Sequence, residues 1–71
     1  MTETPMTDRV LLVDDDPDIC QFLATLLEIE GLKPDIALRP EDALTALEGG
    51  PYRAILMDIA AAQAVLGRAG R

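Results

Sequence analysis

Residues 9–18 of this chain read RVLLVDDDPD, an apolar run that ends in a group of acidic residues. The consecutive apolar residues 10–13 indicate a strand buried on both faces, because a half-exposed strand would alternate apolar and polar side chains. The run ends at a group of aspartates and Pro17, and proline suits the first turn of a helix. We therefore expect Asp14 and Asp15 to lie at the carboxyl end of an interior strand, the edge where open parallel α/β sheets bind ligands.

The first helix is predicted to begin at Pro17, with Asp16 as its N-cap, and to stop at Gly31. Apolar residues recur through this segment at helical spacing and predict one buried face. That face comprises Ile19, Phe22, Leu23, Leu26 and Leu27. Cys20 is the single cysteine, so an internal disulfide is excluded, and we expect it to act as a small buried hydrophobe.

Beyond this helix, short apolar runs and helical segments continue to alternate. A second strand is predicted over residues 32–38 and a third over residues 53–57, with a second helix between them that starts at Pro40. The buried stripe of that helix is predicted to comprise Ala43, Leu44 and Leu47. The pattern predicts a doubly wound α/β fold with a parallel sheet.

Pro34 lies inside the second strand and places it at a sheet edge, since proline cannot donate to a ladder on both sides. The first strand is then central, and the strand order is 2-1-3. This order reverses the winding at the first strand and opens a crevice at the carboxyl ends of the first and third strands. Asp14, Asp15 and Asp58 are all predicted to reach that crevice.

The composition narrows the possible partners. The chain has 71 residues and a formal net charge of −7, with its basic residues scattered singly, so nucleic acid and anionic membrane surfaces are not expected as direct partners. Apolar runs fall short of the roughly 20 residues that a membrane span requires. We expect a cytoplasmic protein with one small domain, preceded by a disordered lead-in over residues 1–8.

Residues 60–71 differ in composition from the rest of the chain. All 13 acidic residues lie at or before Asp58, and the tail contains only Ala, Gly, Arg, Gln, Val and Leu. One interpretation is that this tail is the product of a frameshift or internal deletion in a GC-rich gene. The other is a genuine alanine-rich third helix on the same face as the second. Val65 and Leu66 are its only large apolar residues, which we expect to be too few for a docked helix.

The sequence resembles the receiver domain of two-component response regulators. The resemblance rests on residues 10–18, on Glu-Asp-Ala-Leu at residues 41–44, and on Ala-Ile-Leu-Met-Asp at residues 54–58. It covers residues 9–59, a partial receiver domain, and it implies a flavodoxin-like doubly wound sheet. In this chain that fold is truncated to three strands and two helices, plus a short helical tail.

The resemblance also implies a chemistry. Asp58 matches the aspartate that accepts a phosphoryl group from a histidine kinase or a phosphotransfer protein. Asp14 and Asp15 match the acidic pair that holds Mg²⁺ together with Asp58, with the backbone carbonyl of Ala60 as a further ligand. A carboxylate is a competent nucleophile toward phosphorus, and hard oxygen ligands suit Mg²⁺. Such a module catalyses at most its own phosphorylation.

The chain departs from the family pattern after Asp58. Ala62 replaces the usual proline, Leu66 replaces the usual glycine, and no Ser, Thr or Lys follows. A second function is therefore a chemically inert receiver fragment that acts at most as a protein-interaction module. The third strand should leave an exposed apolar edge, through which we expect self-association.

Overall fold

The computed structural model describes residues 7–69. Its elements are, in chain order, β1 (Arg9–Val13), α1 (Pro17–Ile29), β2 (Lys33–Ala37), α2 (Pro40–Glu48), β3 (Ala54–Met57) and α3 (Ile59–Ala69). The three strands form a parallel sheet in the order β2-β1-β3. This order confirms the truncated flavodoxin-like α/β fold and the edge position of the strand that contains Pro34.

The central strand β1 supplies most of the core. Its residues from Val10 to Val13 are all buried, as the unbroken apolar run predicted. Successive side chains point to opposite faces of a strand, so β1 serves two separate clusters. Leu12 packs with Cys20 and Ala24 of α1 on one face. On the other face Leu11 and Val13 pack with residues of β2, α2 and α3, namely Ala37, Ala43 and Val65.

The first helix has the predicted ends but a different buried face. The Asp16 carboxylate accepts hydrogen bonds from the backbone N–H groups of Asp18 and Ile19, and Gly31 follows the helix with φ +85°. The residues that contact the sheet are Cys20, Leu23, Ala24 and Leu27. The predicted face was therefore partly wrong, because small side chains let the helix approach the sheet closely and turn the larger ones outward. The exposed ones are Ile19, Phe22 and Leu26. Buried Cys20 is confirmed.

The other two helices lie together on the opposite face of the sheet. Ala43 of α2 is fully buried and Leu44 packs beside it, but Leu47 is exposed and Ala46 contacts the core in its place.

The alanine-rich tail is a helix that docks. Val65 is buried in the cluster of Leu11 and Ala43, and Ala61 packs one turn earlier. The expectation that the tail has too few large apolar residues to dock is therefore wrong. Alanine side chains allow close approach, so one valine suffices to fill the contact.

The strand limits shift by a residue from the prediction. β2 lacks Leu32 and Leu38 of the predicted range, and β3 begins at Ala54 although the Arg53 N–H already donates to the Arg9 carbonyl at 2.7 Å.

Of the predicted disordered lead-in, residues 1–6 lie outside the described residues. The Asp8 carbonyl accepts the Lys33 N–H at 2.9 Å, so the lead-in's last residue joins the sheet.

Candidate functional site

A cavity of about 170 Å³ opens at the carboxyl ends of β1 and β3. Asp14, Asp15 and Asp58 all contribute to its lining, together with Ala60 of α3. The topology explains the arrangement, because two neighbouring parallel strands end at the same edge and the winding reverses between them. The structure thus brings all four sequence-predicted site residues to the wall of one cavity.

The loop after β1 is held by backbone contacts. Asp14 is half-buried, and its N–H donates to the Ala37 carbonyl of β2 at 3.1 Å. One carboxylate oxygen of Asp14 accepts the Asp16 N–H at 3.0 Å, which turns the chain into α1. Asp15 is exposed. The Cys20 thiol donates to the Asp14 carbonyl at 3.6 Å. Burial is the main cause that raises the pKa of this thiol, and the nearby negative charge of Asp14 raises it further.

Asp58 is the single residue between the end of β3 and the start of α3. Its Oδ1 accepts the backbone N–H of Ala61 at 2.6 Å, and its carbonyl accepts the N–H of Ala62 at 2.9 Å. The side chain therefore acts as the N-terminal cap of α3, which begins at the next residue. The exposed residue Asp58 remains accessible from the cavity.

The donor set has the chemistry that Mg²⁺ requires, since carboxylate and carbonyl oxygens are its usual protein ligands. Within residues 7–69, however, no group of three or more Asp, Glu, His or Cys side chains lies close enough together to hold a metal ion. Asp14 and Asp58 each direct one oxygen to a backbone N–H instead. The magnesium site at Asp14, Asp15, Asp58 and Ala60 stays a prediction.

The cavity wall also includes a positively charged side chain, which was not predicted from the sequence. Arg39 precedes α2 and lines the same cavity. Its guanidinium donates to both carboxylate oxygens of Asp42, at 3.0 and 3.2 Å, and holds the pKa of that carboxyl below its ordinary value. The sequence signal was available, because Arg39 follows the second strand just as Asp14 follows the first.

A polar cluster of Arg9, Asp35 and Tyr52 was also missed. Arg9 Nη2 donates to Asp35 Oδ2 and contacts the Tyr52 hydroxyl, both at 2.9 Å, and Tyr52 Oη donates to Asp35 Oδ2 at 2.7 Å. The Arg9 guanidinium also lies 4.5 Å from the centre of the Tyr52 ring. These residues are far apart in sequence, and only the strand register brings them together. The cluster links β1, β2 and the approach to β3.

Three known proteins illustrate the sequence similarity of this chain. An NtrX-like response regulator of Rickettsia bellii is 40% identical over 50 residues, which are 70% of this chain and 10% of that protein. The CpxR homolog of Haemophilus influenzae, a transcriptional regulatory protein, is 39% identical over 51 residues, 72% of this chain and 22% of that protein. Protein Rrf1 of Nitratidesulfovibrio vulgaris is 33% identical over 58 residues, 82% of this chain and 42% of that protein. No family model and no solved structure matches the chain.

The chain spans from a tenth to less than half of the length of these relatives. None of the helices in the described part is long and apolar enough to cross a membrane. The relatives are response regulators, which are signalling proteins of two-component systems. Over about 50 residues the chain is thus related to the response regulators, as the motifs at Asp14 and Asp58 predicted, and its fold is consistent with a partial receiver domain.

Proposed function

We propose that this chain is a receiver module that accepts a phosphoryl group on Asp58 from a histidine kinase or a phosphotransfer protein in the cytoplasm. An oxygen of Asp58 forms the new bond to phosphorus while the bond between phosphorus and the donor's imidazole nitrogen breaks. The imidazole leaves as the nitrogen base, and the product is an acyl phosphate.

The observation that carries this proposal is the position of Asp58. It is an exposed carboxylate at the end of β3, and it shares a cavity wall with Asp14 and Asp15 at the reversal of the sheet winding. The cap of α3 accounts for Asp58 but not for Asp14 and Asp15 in the same cavity wall, since like charges that share a site repel one another. The similarity to response regulators supports the same assignment.

Asp14, Asp15 and Asp58 would hold Mg²⁺ in this function, with the Ala60 carbonyl as a further ligand. The bound ion would offset the negative charge of the carboxylates and of the incoming phosphoryl oxygens. To contribute both oxygens, Asp58 would release the Ala61 N–H, and Asp14 would release the Asp16 N–H. Before a metal binds, the cap at Ala61 orients the Asp58 side chain.

The direct test exposes the full chain to a small acyl phosphate, or to phosphorylated histidine kinases from its own organism, with Mg²⁺ present. Intact mass spectrometry should detect one added phosphoryl group, which hydroxylamine removes as expected for an acyl phosphate. Asp58→Asn should abolish the signal. Asp18→Asn, which removes an exposed acid in the first turn of α1, should retain it. Labelling that persists in Asp58→Asn would contradict the assignment.

The second candidate is the inert receiver fragment that binds a kinase without accepting phosphoryl groups. The engagement of Asp58 as a helix cap favours this candidate. It predicts a measurable complex with a kinase that transfers no label. Calorimetry with the unphosphorylated kinase, beside the transfer assay, distinguishes the two candidates.

A further inference from the structure

The cavity at the carboxyl ends of β1 and β3 has a cation in its wall. Arg39 is the only positively charged residue that the described part of the chain places there, and it shares the wall with Asp14, Asp15 and Asp58. A phosphoryl group carries negative charge on its outer oxygens, and carboxylates repel that charge. A side chain that binds those oxygens must therefore be positive, and the planar N–H donors of arginine match their geometry.

The fold fixes the backbone of Arg39 and leaves its side chain available. Arg39 lies between β2, the neighbour of the central strand, and the first residue of α2. Its carbonyl accepts the N–H groups of Asp42 and Ala43, both at 3.1 Å. Within the described residues its side chain makes no capping hydrogen bond. The residue thus stays at the cavity while the guanidinium can change partners.

Acidic side chains of α2 hold the guanidinium. Arg39 Nε and Nη2 donate to Asp42 at 3.0 and 3.2 Å, and Nη1 lies 4.0 Å from Glu41 Oε2. The hydrogen bonds to Asp42 use two of the five N–H donors of the guanidinium. The side chain of Arg39 is 66% exposed, and ion pairs at such positions contribute little, because water competes for both partners. The pair can therefore open when a more highly charged anion enters the cavity.

We propose that the Arg39 guanidinium binds the phosphoryl oxygens of the donor while Asp58 attacks phosphorus. This inference rests on the proposed function and adds a binding group from the α2 side of the cavity. With an acyl phosphate as donor, an Asp58 oxygen forms the bond to phosphorus, the bond from phosphorus to the donor's acyl oxygen breaks, and the carboxylate leaves with the electron pair. Arg39 forms no covalent bond and loses no proton. It exchanges its contact with Asp42 for a contact with the phosphoryl oxygens.

The initial rate at which acetyl phosphate labels the full chain in the presence of Mg²⁺ tests the proposal. Arg39→Gln should raise the half-saturating concentration of acetyl phosphate about tenfold, because a charged donor to the phosphoryl group is lost. Arg68→Gln removes the same charge from an exposed position in the last turn of α3, outside the cavity wall, and should leave that concentration unchanged. Asp42→Asn removes the competing partner of Arg39 and should lower it.

The opposite effects of Arg39→Gln and Asp42→Asn separate binding from a structural role. Both substitutions break the same ion pair. If Arg39 only stabilised the start of α2, the two variants would change the half-saturating concentration in the same direction. That result would overturn the proposal, as would a labelling curve of Arg39→Gln that matches the curve of Arg68→Gln.

Binding of inorganic phosphate distinguishes a failure of this inference from a failure of the proposed function. Phosphate offers the same oxygens but transfers nothing to Asp58. In a titration with Mg²⁺ present, followed by the amide resonance of residue 39, Arg39→Gln should weaken phosphate binding about tenfold and Arg68→Gln should not. A wild type that binds phosphate through Arg39 but is never labelled would refute Asp58 as phosphoacceptor and support the Arg39 site. Phosphate binding that is absent in the wild type, or equal in all three chains, would overturn the Arg39 site.

Discussion

The carboxylate of Asp58 accepts a hydrogen bond from the backbone N–H of Ala61, with 2.6 Å between Oδ1 and the nitrogen. The residue that we propose as phosphoacceptor is therefore also the N-terminal cap of α3. An N-cap satisfies a backbone donor that the helix leaves without an internal partner. The two roles compete for the same oxygen, and substitutions at Asp58 can separate them.

We expect Asp58→Ala to lower the free energy of unfolding by about 1 kcal/mol, because the cap is lost. Asp58→Asn should leave it nearly unchanged, because asparagine caps helices as well as aspartate does. Urea unfolding followed by circular dichroism measures both variants. An equal loss in the two variants would mean that the charge, and not the cap, stabilises the start of α3.

Metal binding gives the second prediction. Asp14, Asp15 and Asp58 line one cavity, and we expect the folded chain to bind Mg²⁺ weakly there. Titration with Mg²⁺ should move the amide resonances next to Asp14 and Asp58, and Asp15→Ala should reduce the response. Asp18→Ala is the control, since Asp18 lies in the first turn of α1 and outside the cavity lining. Equally negligible shifts in the wild type and in Asp15→Ala would contradict the prediction.

The positions of the site residues could be predicted, but the directions of their side chains could not. Aspartates that directly follow neighbouring parallel strands must meet at one edge, which sequence alone indicates. The cap at Ala61 depends on the helix starting immediately after Asp58, and the contact of Asp14 with the Asp16 N–H depends on a tight turn. Both backbone donors would compete with a bound metal ion for carboxylate oxygens.

The sheet was easier to predict than the helix faces. Pro34 alone determined which strand lies at the edge, because its missing N–H is a local property. The buried face of α1 depends instead on how closely the helix can approach a sheet of three strands. Cys20 and Ala24 allow a close approach, which leaves Phe22 64% exposed although its spacing matched the predicted face.

Stability in acid gives the third prediction. The pKa of Asp35 lies below its ordinary value of 3.8, mainly because Arg9 donates a hydrogen bond to its carboxylate and also because Tyr52 donates one. A carboxyl whose pKa is lower in the folded than in the unfolded chain stabilises the fold while it is ionised. This contribution is complete above the unfolded value of about 3.8 and is lost as the pH falls through the lower folded value. We therefore expect the free energy of unfolding to fall in that acidic range.

Urea unfolding at a series of decreasing pH values measures this effect. Asp35→Asn should be less stable than the wild type near neutral pH and should lose less stability in acid. Glu28→Gln removes one acid from an exposed position of α1 and should keep the pH dependence of the wild type. If Asp35→Asn and Glu28→Gln have the same pH profile, the cluster of Arg9, Asp35 and Tyr52 does not contribute as the contacts indicate.

The last prediction concerns the docking of α3, which decides between the two interpretations of residues 60–71. Val65 is 6% exposed in the core cluster, whereas the adjacent Leu66 is 70% exposed. We expect Val65→Ala to lower the free energy of unfolding by about 2 kcal/mol, because two buried methyl groups are lost and a cavity remains. Leu66→Ala should change it by less than about 0.5 kcal/mol, as is usual at exposed positions.

Urea unfolding of the two variants makes a matched comparison, because each removes apolar atoms from neighbouring positions of the same helix. A large loss in Val65→Ala alone would mean that the tail is a working third helix of the fold. Equal, small effects would mean that the tail does not dock in solution and would favour the frameshift interpretation. In that case the other reading frames of the coding DNA after the Asp58 codon should encode a Pro-x-x-x-Gly segment and further strands ending in Ser or Thr and in Lys. If no frame and no nearby downstream stretch encodes them, the interpretation as a frameshift or internal deletion fails independently of the unfolding data.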